Sequence, residues 1–233
     1  MYLVIIFIIL YIYNFNKKKK IYLTMTTLPN RIVSSHFKNV INSLLIQSKY
    51  YDKIILNIPY KYKRTNEKYI IPKWIKNNKK IKIIRCEDNG PATKILGLIN
   101  NVEENSILII VDDDIIYDKN IVKNLIKNYN GNNIVTHELI NRKYFKEPMG
   151  FASYLVPYKF IKNINNIKIP KDCFYIDDTF FGWYYSTLNI NITKINTTYW
   201  DRKKTDKHPK WFELNKDTNR DTITTKCISK LIL

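Results

Sequence analysis

Cysteine is scarce in this sequence. Its three cysteines, Cys86, Cys173 and Cys227, are far apart along the chain and include no C-x-x-C pair. Structural zinc sites use clustered cysteines, and disulfide frameworks use an even number of cysteines. We therefore expect neither a zinc site nor a disulfide framework, and this cysteine usage suits a reducing compartment.

Arginine is also scarce. Only six of the 39 basic residues are Arg, although the net charge is +19. Arg is the side chain that contacts phosphates and bases with a planar fork. A charge carried mostly by Lys therefore argues against nucleic acid as the main partner. A general attraction to phosphates or acidic lipid headgroups stays open.

Glycine is rare too, at five residues, and the pattern G-x-x-x-x-G-K-[ST] does not occur. This excludes a standard P-loop enzyme. The remaining composition is ordinary, with 45% hydrophobic and 25% charged residues. It predicts one globular domain over residues 21–233 rather than a disordered chain.

The longest apolar run lies at the N-terminus. Tyr2–Tyr13 reads YLVIIFIILYIY, and the lysines Lys17–Lys20 follow it. As a helix the run spans about 20 Å, short of a ~30 Å hydrocarbon core, although snorkelling lysines and local thinning cover part of the difference. We interpret residues 1–16 as a single-pass membrane anchor. The alternatives are a cleaved signal peptide and a buried element of the domain.

The charges beside this run predict its orientation. The positive-inside rule places Lys17–Lys20 in the cytosol, and with them the domain that follows. Two N-x-[ST] sequons, at Asn191 and Asn196, argue weakly for the lumenal side. We therefore predict a cytosolic domain.

Beyond Lys20, short apolar runs alternate with amphipathic stretches. The predicted strands are Ile21–Met25, Lys53–Ile58, Ile81–Arg85 and Ser106–Val111. The predicted helices begin at Ser34 or Ser35, at Pro91 and at Asp118. This alternation predicts an α/β fold with a mostly parallel central sheet and flanking helices. Ligands bind beyond the carboxyl ends of such strands.

Three adjacent carboxylates, Asp112–Asp114, directly follow the apolar run SILIIV. Their mutual repulsion at the end of a buried strand is costly unless a cation neutralises them. Hard oxygen ligands suit Mg²⁺ or Mn²⁺, which often complete their shell with substrate phosphates. The alternative is an acidic turn that caps the next helix, but Asp118 already sits where that cap is needed.

A second acidic pair, Asp177–Asp178, opens the aromatic stretch DDTFFGWYYS. A carboxylate at a helix N-terminus beside apolar side chains can serve as a general base. Ordinary N-capping is the alternative. The chain after Gly131 is irregular and rich in aromatic residues.

Two further segments follow predicted strands and carry basic side chains. Asp88–Lys94 reads DNGPATK, in which Gly-Pro permits a tight turn and Lys94 lies in the first helical turn, where it can meet a phosphate. Thr26–Arg31 reads TTLPNR, and Arg31 is placed to contact a pyrophosphate or base. A solvent-facing Lys and an ordinary loop Arg are the alternatives. His208, in a basic loop, is a candidate for the final metal ligand.

In chain order, T-T-L-P-x-R, D-x-G-P-A-T-K, an apolar strand with D-D-D, and D-D-T-F-F-G resemble the GT-A-fold glycosyltransferases, particularly family-2-like enzymes. The resemblance covers roughly Tyr22 to Ile195. It implies that Asp112 and Asp114 hold a divalent metal on the diphosphate of a sugar nucleotide. It also implies that Asp178, or else Asp177, is the catalytic base, although Glu is common at the first position of this pair.

The resemblance further implies a division of labour along the chain. Residues 21–130 form a nucleotide-sugar half and residues 131–233 an acceptor half. The expected donor-binding residues are Thr26, Pro29, Arg31, Asp88, Lys94, Asp112 and Asp113.

We therefore expect a glycosyltransferase that uses Mn²⁺ or Mg²⁺. It would transfer a sugar from a nucleotide-sugar donor to a hydroxyl of a glycan, lipid or protein acceptor. Two alternative functions stay open: a nucleotidyl- or phosphotransferase with the same metal-diphosphate site, and a non-catalytic membrane-bound glycan-binding protein.

Overall fold

The computed structural model describes residues 19–201 and 219–232 of the chain. In chain order its strands are β1 Ile21–Thr26, β2 Lys53–Pro59, β3 Ile81–Cys86, β4 Ile107–Ile110, β5 Asn133–Thr136, β6 Leu139–Asn141, β7 Lys146–Pro148, β8 Tyr154–Pro157 and β9 Asn191–Lys194. Its α-helices are α1 Ser35–Leu45, α2 Lys73–Lys76, α3 Thr93–Leu96, α4 Ile121–Lys127, α5 Asp177–Thr187 and α6 Arg220–Leu231.

A seven-stranded sheet in the order β3-β2-β1-β4-β8-β5-β9 forms the centre of the fold. The pairs β3-β2, β2-β1, β1-β4 and β5-β9 are parallel, whereas β8 runs antiparallel to both β4 and β5. The strands β6 and β7 form a separate antiparallel pair. The prediction of an α/β fold with a mostly parallel sheet is confirmed.

Both faces of the sheet are covered by apolar side chains. In β4, Leu108 and Ile110 pack into one core cluster, while Ile107 and Ile109 pack into the other. All four side chains are buried. This is why the run reads as continuously apolar rather than alternating, as expected for a central strand.

Helix α1 follows β1 as the sequence predicts. The Ser34 hydroxyl caps it by accepting a hydrogen bond from the backbone N–H of Phe37 at 3.0 Å. The buried face consists of Phe37, Val40, Ile41 and Leu44. A cap of this kind contributes about 1 kcal/mol.

The prediction that Asp118 caps the next helix is wrong. Helix α4 begins only at Ile121, and its N-cap residue is Asn120, which makes no side-chain cap. The Asp118 carboxylate instead accepts a hydrogen bond from the backbone N–H of Asn120. This hydrogen bond closes a local turn between Asp118 and Asn120, and the turn precedes the helix.

The prediction that the cysteines form no disulfide is also wrong. Cys173 and Cys227 are joined by a disulfide across 54 positions of the chain. The pairing arises because α6 packs against α5 and against the short 3₁₀ turn Lys171–Cys173. Only Cys86 is free. The argument for a reducing compartment falls with this prediction, since such bonds persist in oxidising compartments.

The predicted membrane anchor, residues 1–16, lies outside the described residues. Within residues 19–201 and 219–232, no helix is long and apolar enough to cross a bilayer.

Candidate active site

A pocket of about 510 Å³ opens where β1, β3 and β4 end. This is the carboxyl edge of the parallel strands, where the sequence places the ligand. The predicted site residues that line the pocket are Thr26, Arg31, Asp88, Lys94, Asp112, Asp113, Asp114, Asp177 and Asp178. The two acidic clusters, more than sixty positions apart in the chain, thus share one cavity.

One predicted residue of the described part of the chain, Pro29, does not join this group. Pro29 sits half-buried in the turn after β1 and is not part of the pocket lining. Its turn is closed by hydrogen bonds from the N–H groups of Arg31 and Ile32 to the carbonyl of Leu28. Pro29 therefore shapes the loop that carries Arg31, and its role in donor binding stays a prediction. His208 lies outside the described residues.

Asp113 is held by neighbouring side chains. Its carboxylate accepts hydrogen bonds from Arg31 Nη1 at 2.5 Å and from the Thr27 hydroxyl at 2.6 Å. Both Asp113 and Arg31 are buried. Removing either partner would leave a buried charge uncompensated. Asp113 thus ties the loop after β4 to the loop after β1.

Asp112 and Asp114 are the more accessible members of the triplet. Their side chains are 29% and 28% exposed, against 9% for Asp113. Burial, and then the charges of Asp113 and Asp112, raise the pKa of Asp114 to about 7. The ionised triplet is therefore short of positive charge, as expected of a site that binds a cation.

Lys94 stands between the two acidic clusters. Its Nζ lies 2.7 Å from Oδ1 of Asp112, 2.9 Å from Oδ2 of Asp177 and 4.0 Å from Oδ1 of Asp178. Burial alone lowers the pKa of a lysine, but the three carboxylates outweigh it and raise the pKa of Lys94 well above its ordinary value. The ammonium group therefore stays charged and joins the clusters.

The placement of Lys94 depends on residues outside the pocket. Its backbone carbonyl accepts hydrogen bonds from the Thr24 hydroxyl and from the side-chain amide of Asn57. Both donors are buried. The position of helix α3 is thereby fixed against β1 and β2.

Asp177 and Asp178 open helix α5, and both are buried. Oδ1 of Asp178 accepts a hydrogen bond from the backbone N–H of Gly150 at 3.0 Å. Burial, and then the negative charge of Asp177, raise the pKa of Asp178 well above its usual range, although Lys94 opposes the shift. Asp178 is thus a carboxyl that takes up a proton more readily than an exposed one.

Gly150 permits the close approach of these groups. A Cβ at this position would lie 2.5 Å from Lys94 Nζ and 3.1 Å from Asp178 Oδ1. Any side chain there would displace the ion pairs. The sequence gives no signal for this requirement, because Gly150 lies in an irregular segment.

Tyr117 is a further residue that sequence reasoning missed. Its hydroxyl accepts a hydrogen bond from the backbone N–H of Asp112 at 2.7 Å and donates one to the carbonyl of Phe151 at 3.0 Å. The side chain is buried. Tyr117 thus links the Asp112–Asp114 loop to the segment that carries Gly150.

The Asp88 loop forms the opposite wall. The Asp88 carboxylate accepts hydrogen bonds from the N–H groups of Gly90 and Lys63. Gly90 has φ +61°, and a Cβ there would lie 2.6 Å from the carbonyl oxygen of Phe174. Only glycine meets both conditions without strain. The Gly-Pro turn predicted from the sequence is therefore confirmed.

Aromatic and cationic side chains form the rim of the pocket. The Arg64 guanidinium lies 6.0 Å from the centroid of the Tyr175 ring, and Lys63 Nζ lies 5.9 Å from that of Phe174. Tyr62 and Arg220 also line the pocket. Sugar and base rings stack on such surfaces, so the rim is suited to a ligand with planar or ring-shaped parts.

Among the residues that the structure describes, no group of three or more His, Cys, Asp or Glu side chains is arranged to hold a metal ion. Mg²⁺ and Mn²⁺ sites often use only one or two carboxylates and take substrate phosphates for the rest. Asp112 and Asp114 meet that requirement, since both face the pocket. Its described lining also holds six carboxylates against four cationic side chains. The residues present therefore fit a divalent cation bound together with a phosphate ligand.

Comparison with known proteins defines the class of fold. No protein-family model matches the sequence, and no curated protein matches it. Solved structures do match, and they show that the chain has a GT-A-like α/β fold.

Three of these structures are similar over most of this chain. Residues 1–349 of TarS from S. aureus match at TM-score 0.53 and 13% identity, over 91% of this chain and 70% of that one. The mannosyltransferase PcManGT from Pyrobaculum calidifontis, in complex with GDP-Man and Mn²⁺, matches at TM-score 0.53 and 10% identity, over 77% and 55%. The 4-diphosphocytidyl-2C-methyl-D-erythritol synthase of Anaerococcus prevotii matches at TM-score 0.54 and 12% identity, over 84% and 99%.

Proposed function

We propose that this protein is a glycosyltransferase that moves a sugar from a nucleotide-sugar donor to an acceptor hydroxyl. One observation carries the proposal: Asp112–Asp114 and Asp177–Asp178 line a single pocket and are joined there by Lys94. One acidic cluster is placed to hold a metal on the donor diphosphate, and the other to take a proton from the acceptor. The fold supports this assignment, since TarS and PcManGT share it and have been solved with UDP-GlcNAc and GDP-Man.

The donor would lie with its diphosphate toward Asp112 and Asp114. A divalent metal held by these two carboxylates would supply positive charge to the departing diphosphate when bound. Mn²⁺ accompanies GDP-Man in the PcManGT structure, which supports Mn²⁺ or Mg²⁺ here. Asp113, tied to Arg31 and Thr27, keeps the loop in place for this binding.

Asp178 would act as the general base. Its raised pKa favours proton uptake from an acceptor hydroxyl, and the Gly150 N–H fixes the carboxylate orientation. Lys94 lies between Asp112 and the Asp177–Asp178 pair, and its positive charge offsets the repulsion between these carboxylates. The aromatic rim at Phe174 and Tyr175 would stack against the sugar rings.

A nucleotidyltransferase is the second candidate, because the 4-diphosphocytidyl-2C-methyl-D-erythritol synthase of Anaerococcus prevotii shares the fold. Such an enzyme would use the Asp112–Asp114 end of the pocket for a nucleoside triphosphate. It would not need a carboxylate that accepts a proton from an acceptor hydroxyl, so Asp178 discriminates between the two functions.

Incubation with labelled nucleotide sugars and, separately, nucleoside triphosphates, each with and without Mn²⁺, tests the proposal. We expect release of a nucleoside diphosphate from one nucleotide sugar, dependent on metal and accelerated by an acceptor glycan. Release of pyrophosphate from a triphosphate, with no turnover of any nucleotide sugar, would establish the second candidate instead.

We also propose that residues 1–16 anchor the chain to a membrane and that residues 21–233 form the catalytic domain, with its donor half before its acceptor half. Among the described residues, the first strand begins at Ile21, which supports an anchor that contributes location rather than fold. The disulfide Cys173–Cys227 favours an oxidising compartment. That is the orientation the sequons indicate, against the positive-inside argument.

A further inference from the structure

Helix α6 reaches the pocket from the C-terminal end of the chain. Its buried residues are Thr224, Cys227 and Leu231. Arg220 lies four positions before Thr224, so it shares this face of the helix. Arg220 is also part of the pocket lining. The buried face of α6 thus ends, on the pocket side, in a guanidinium group.

The positive charges of the pocket are not equivalent. Arg31 is paired with Asp113 and Asp114, and Lys94 with Asp112 and Asp177. Their charge is therefore already offset by buried carboxylates. Arg220 is solvent-exposed, and its side chain forms no ion pair with any described residue. It is the kind of cation that can engage an anionic ligand without giving up a protein partner.

The disulfide connects Arg220 to the rest of the site. Cys227 lies on the same face of α6, and Cys173 immediately precedes the pocket residues Phe174 and Tyr175. Four residues after Cys173, helix α5 begins at Asp177. One covalent bond therefore joins the helix that carries Arg220 to the segment that carries the aromatic rim and the acidic pair.

We propose that Arg220 binds the diphosphate of the nucleotide-sugar donor and that the Cys173–Cys227 disulfide holds it in the pocket. The proposal rests on the function proposed above, since it requires a diphosphate ligand. A guanidinium fork matches phosphate oxygens in two parallel hydrogen bonds, which an ammonium group cannot reproduce. The diphosphate would then meet two sources of positive charge in this pocket: the metal that Asp112 and Asp114 would hold, and Arg220.

The first experiment measures binding of UDP and GDP, with uridine and guanosine as phosphate-free probes, in excess Mn²⁺. Arg220→Ala should weaken binding of the preferred diphosphate by about tenfold or more, as expected for loss of a charge-assisted hydrogen bond. Binding of the corresponding nucleoside should not change, whereas a general structural defect would weaken that binding too. Arg220→Lys should recover part of the loss. Lys226→Ala, on the exposed face of the same helix, is the matched control.

A second experiment tests the disulfide. The double variant Cys173→Ser/Cys227→Ser, and wild-type protein reduced with dithiothreitol, should both bind the diphosphate as weakly as Arg220→Ala. Adding Arg220→Ala to the double variant should cause little further loss, because the two changes act on one contact. Cys86→Ser controls for loss of a cysteine elsewhere.

The outcomes separate the two proposals. If wild-type protein binds neither UDP nor GDP, both the proposed function and the role of Arg220 are overturned. If it binds one of them and Arg220→Ala binds it within about twofold of Lys226→Ala, only the role of Arg220 is overturned. If oxidised and reduced proteins bind alike while Arg220→Ala is weakened, the disulfide has no part in placing Arg220.

Discussion

The Lys94 ammonium lies 2.7 Å from a carboxylate oxygen of Asp112, and the same nitrogen lies 2.9 Å from Asp177. Lys94 lies in helix α3, which follows β3, and Asp112 directly follows β4, whereas Asp177 opens a helix far along the chain. One buried side chain therefore joins the expected metal-binding carboxylates to the expected catalytic pair.

This relationship predicts a large effect of Lys94→Met. The substitution leaves Asp112, Asp177 and Asp178 without their shared cation, and removing one partner of a buried ion pair costs about 3–5 kcal/mol. We expect a lower melting temperature and loss of donor binding. Lys123→Met, at an exposed position of α4, is the control. Unchanged stability and activity of Lys94→Met would show that the ion pairs are not needed.

Asp178→Asn tests the assignment of the general base. Donor binding should stay nearly intact, while kcat falls by about two or more orders of magnitude. Single-turnover kinetics and donor titration measure the two effects separately, and Asp177→Asn is the companion variant. A larger kcat defect in Asp177→Asn would exchange the two roles, and lost binding with normal turnover would assign Asp178 to the donor.

The dependence of kcat on pH follows from the raised pKa of Asp178. The carboxyl is a base only when ionised, and burial together with Asp177 raises its pKa well above the usual range. Asp178 is therefore fully ionised well above this pKa. The ionised fraction, and kcat with it, falls as the pH falls through the pKa. With saturating donor and metal, a kcat that stays flat down to about pH 5, roughly one unit above an ordinary carboxyl pKa, would contradict this account.

The disulfide predicts a stability difference. Cys173 and Cys227 close a loop with a sequence separation of 54, and a cross-link of this kind stabilises by about 2–4 kcal/mol through the unfolded chain. The double serine variant should lose that amount in urea unfolding, whereas Cys86→Ser should change little. Equal midpoints for oxidised and reduced protein would rule out a stabilising bond.

The Cys173–Cys227 disulfide also predicts on which side of the membrane the domain lies. When the full chain is expressed in eukaryotic cells, the domain should be shielded from protease added outside sealed microsomes. Digestion in intact microsomes would instead restore the cytosolic orientation that Lys17–Lys20 indicate. Mass spectrometry without reduction would report the disulfide in the same sample.

Much of this site can be predicted from the sequence, because most of the expected residues lie in the segments that connect an apolar strand to the next helix. Asp112–Asp114, Lys94 and Arg31 all lie at the carboxyl edge for this reason. The remaining features depend on tertiary packing. Gly150 and Tyr117 act through close approach and backbone hydrogen bonds, which leave no periodic pattern. Cys173 and Cys227 meet only because α6 packs beside α5, and the reversed direction of β8 likewise has no local signal.

The central claim is that Asp112 and Asp114 hold a divalent metal on a nucleotide-sugar diphosphate. The most direct measurement is calorimetric titration of wild-type protein and Asp114→Ala with UDP-GlcNAc and GDP-Man, in Mn²⁺ and in excess EDTA. The account predicts that wild-type protein binds one donor in Mn²⁺, that EDTA abolishes this binding, and that Asp114→Ala binds neither the metal nor the donor. Equally tight donor binding by both proteins in EDTA would contradict it.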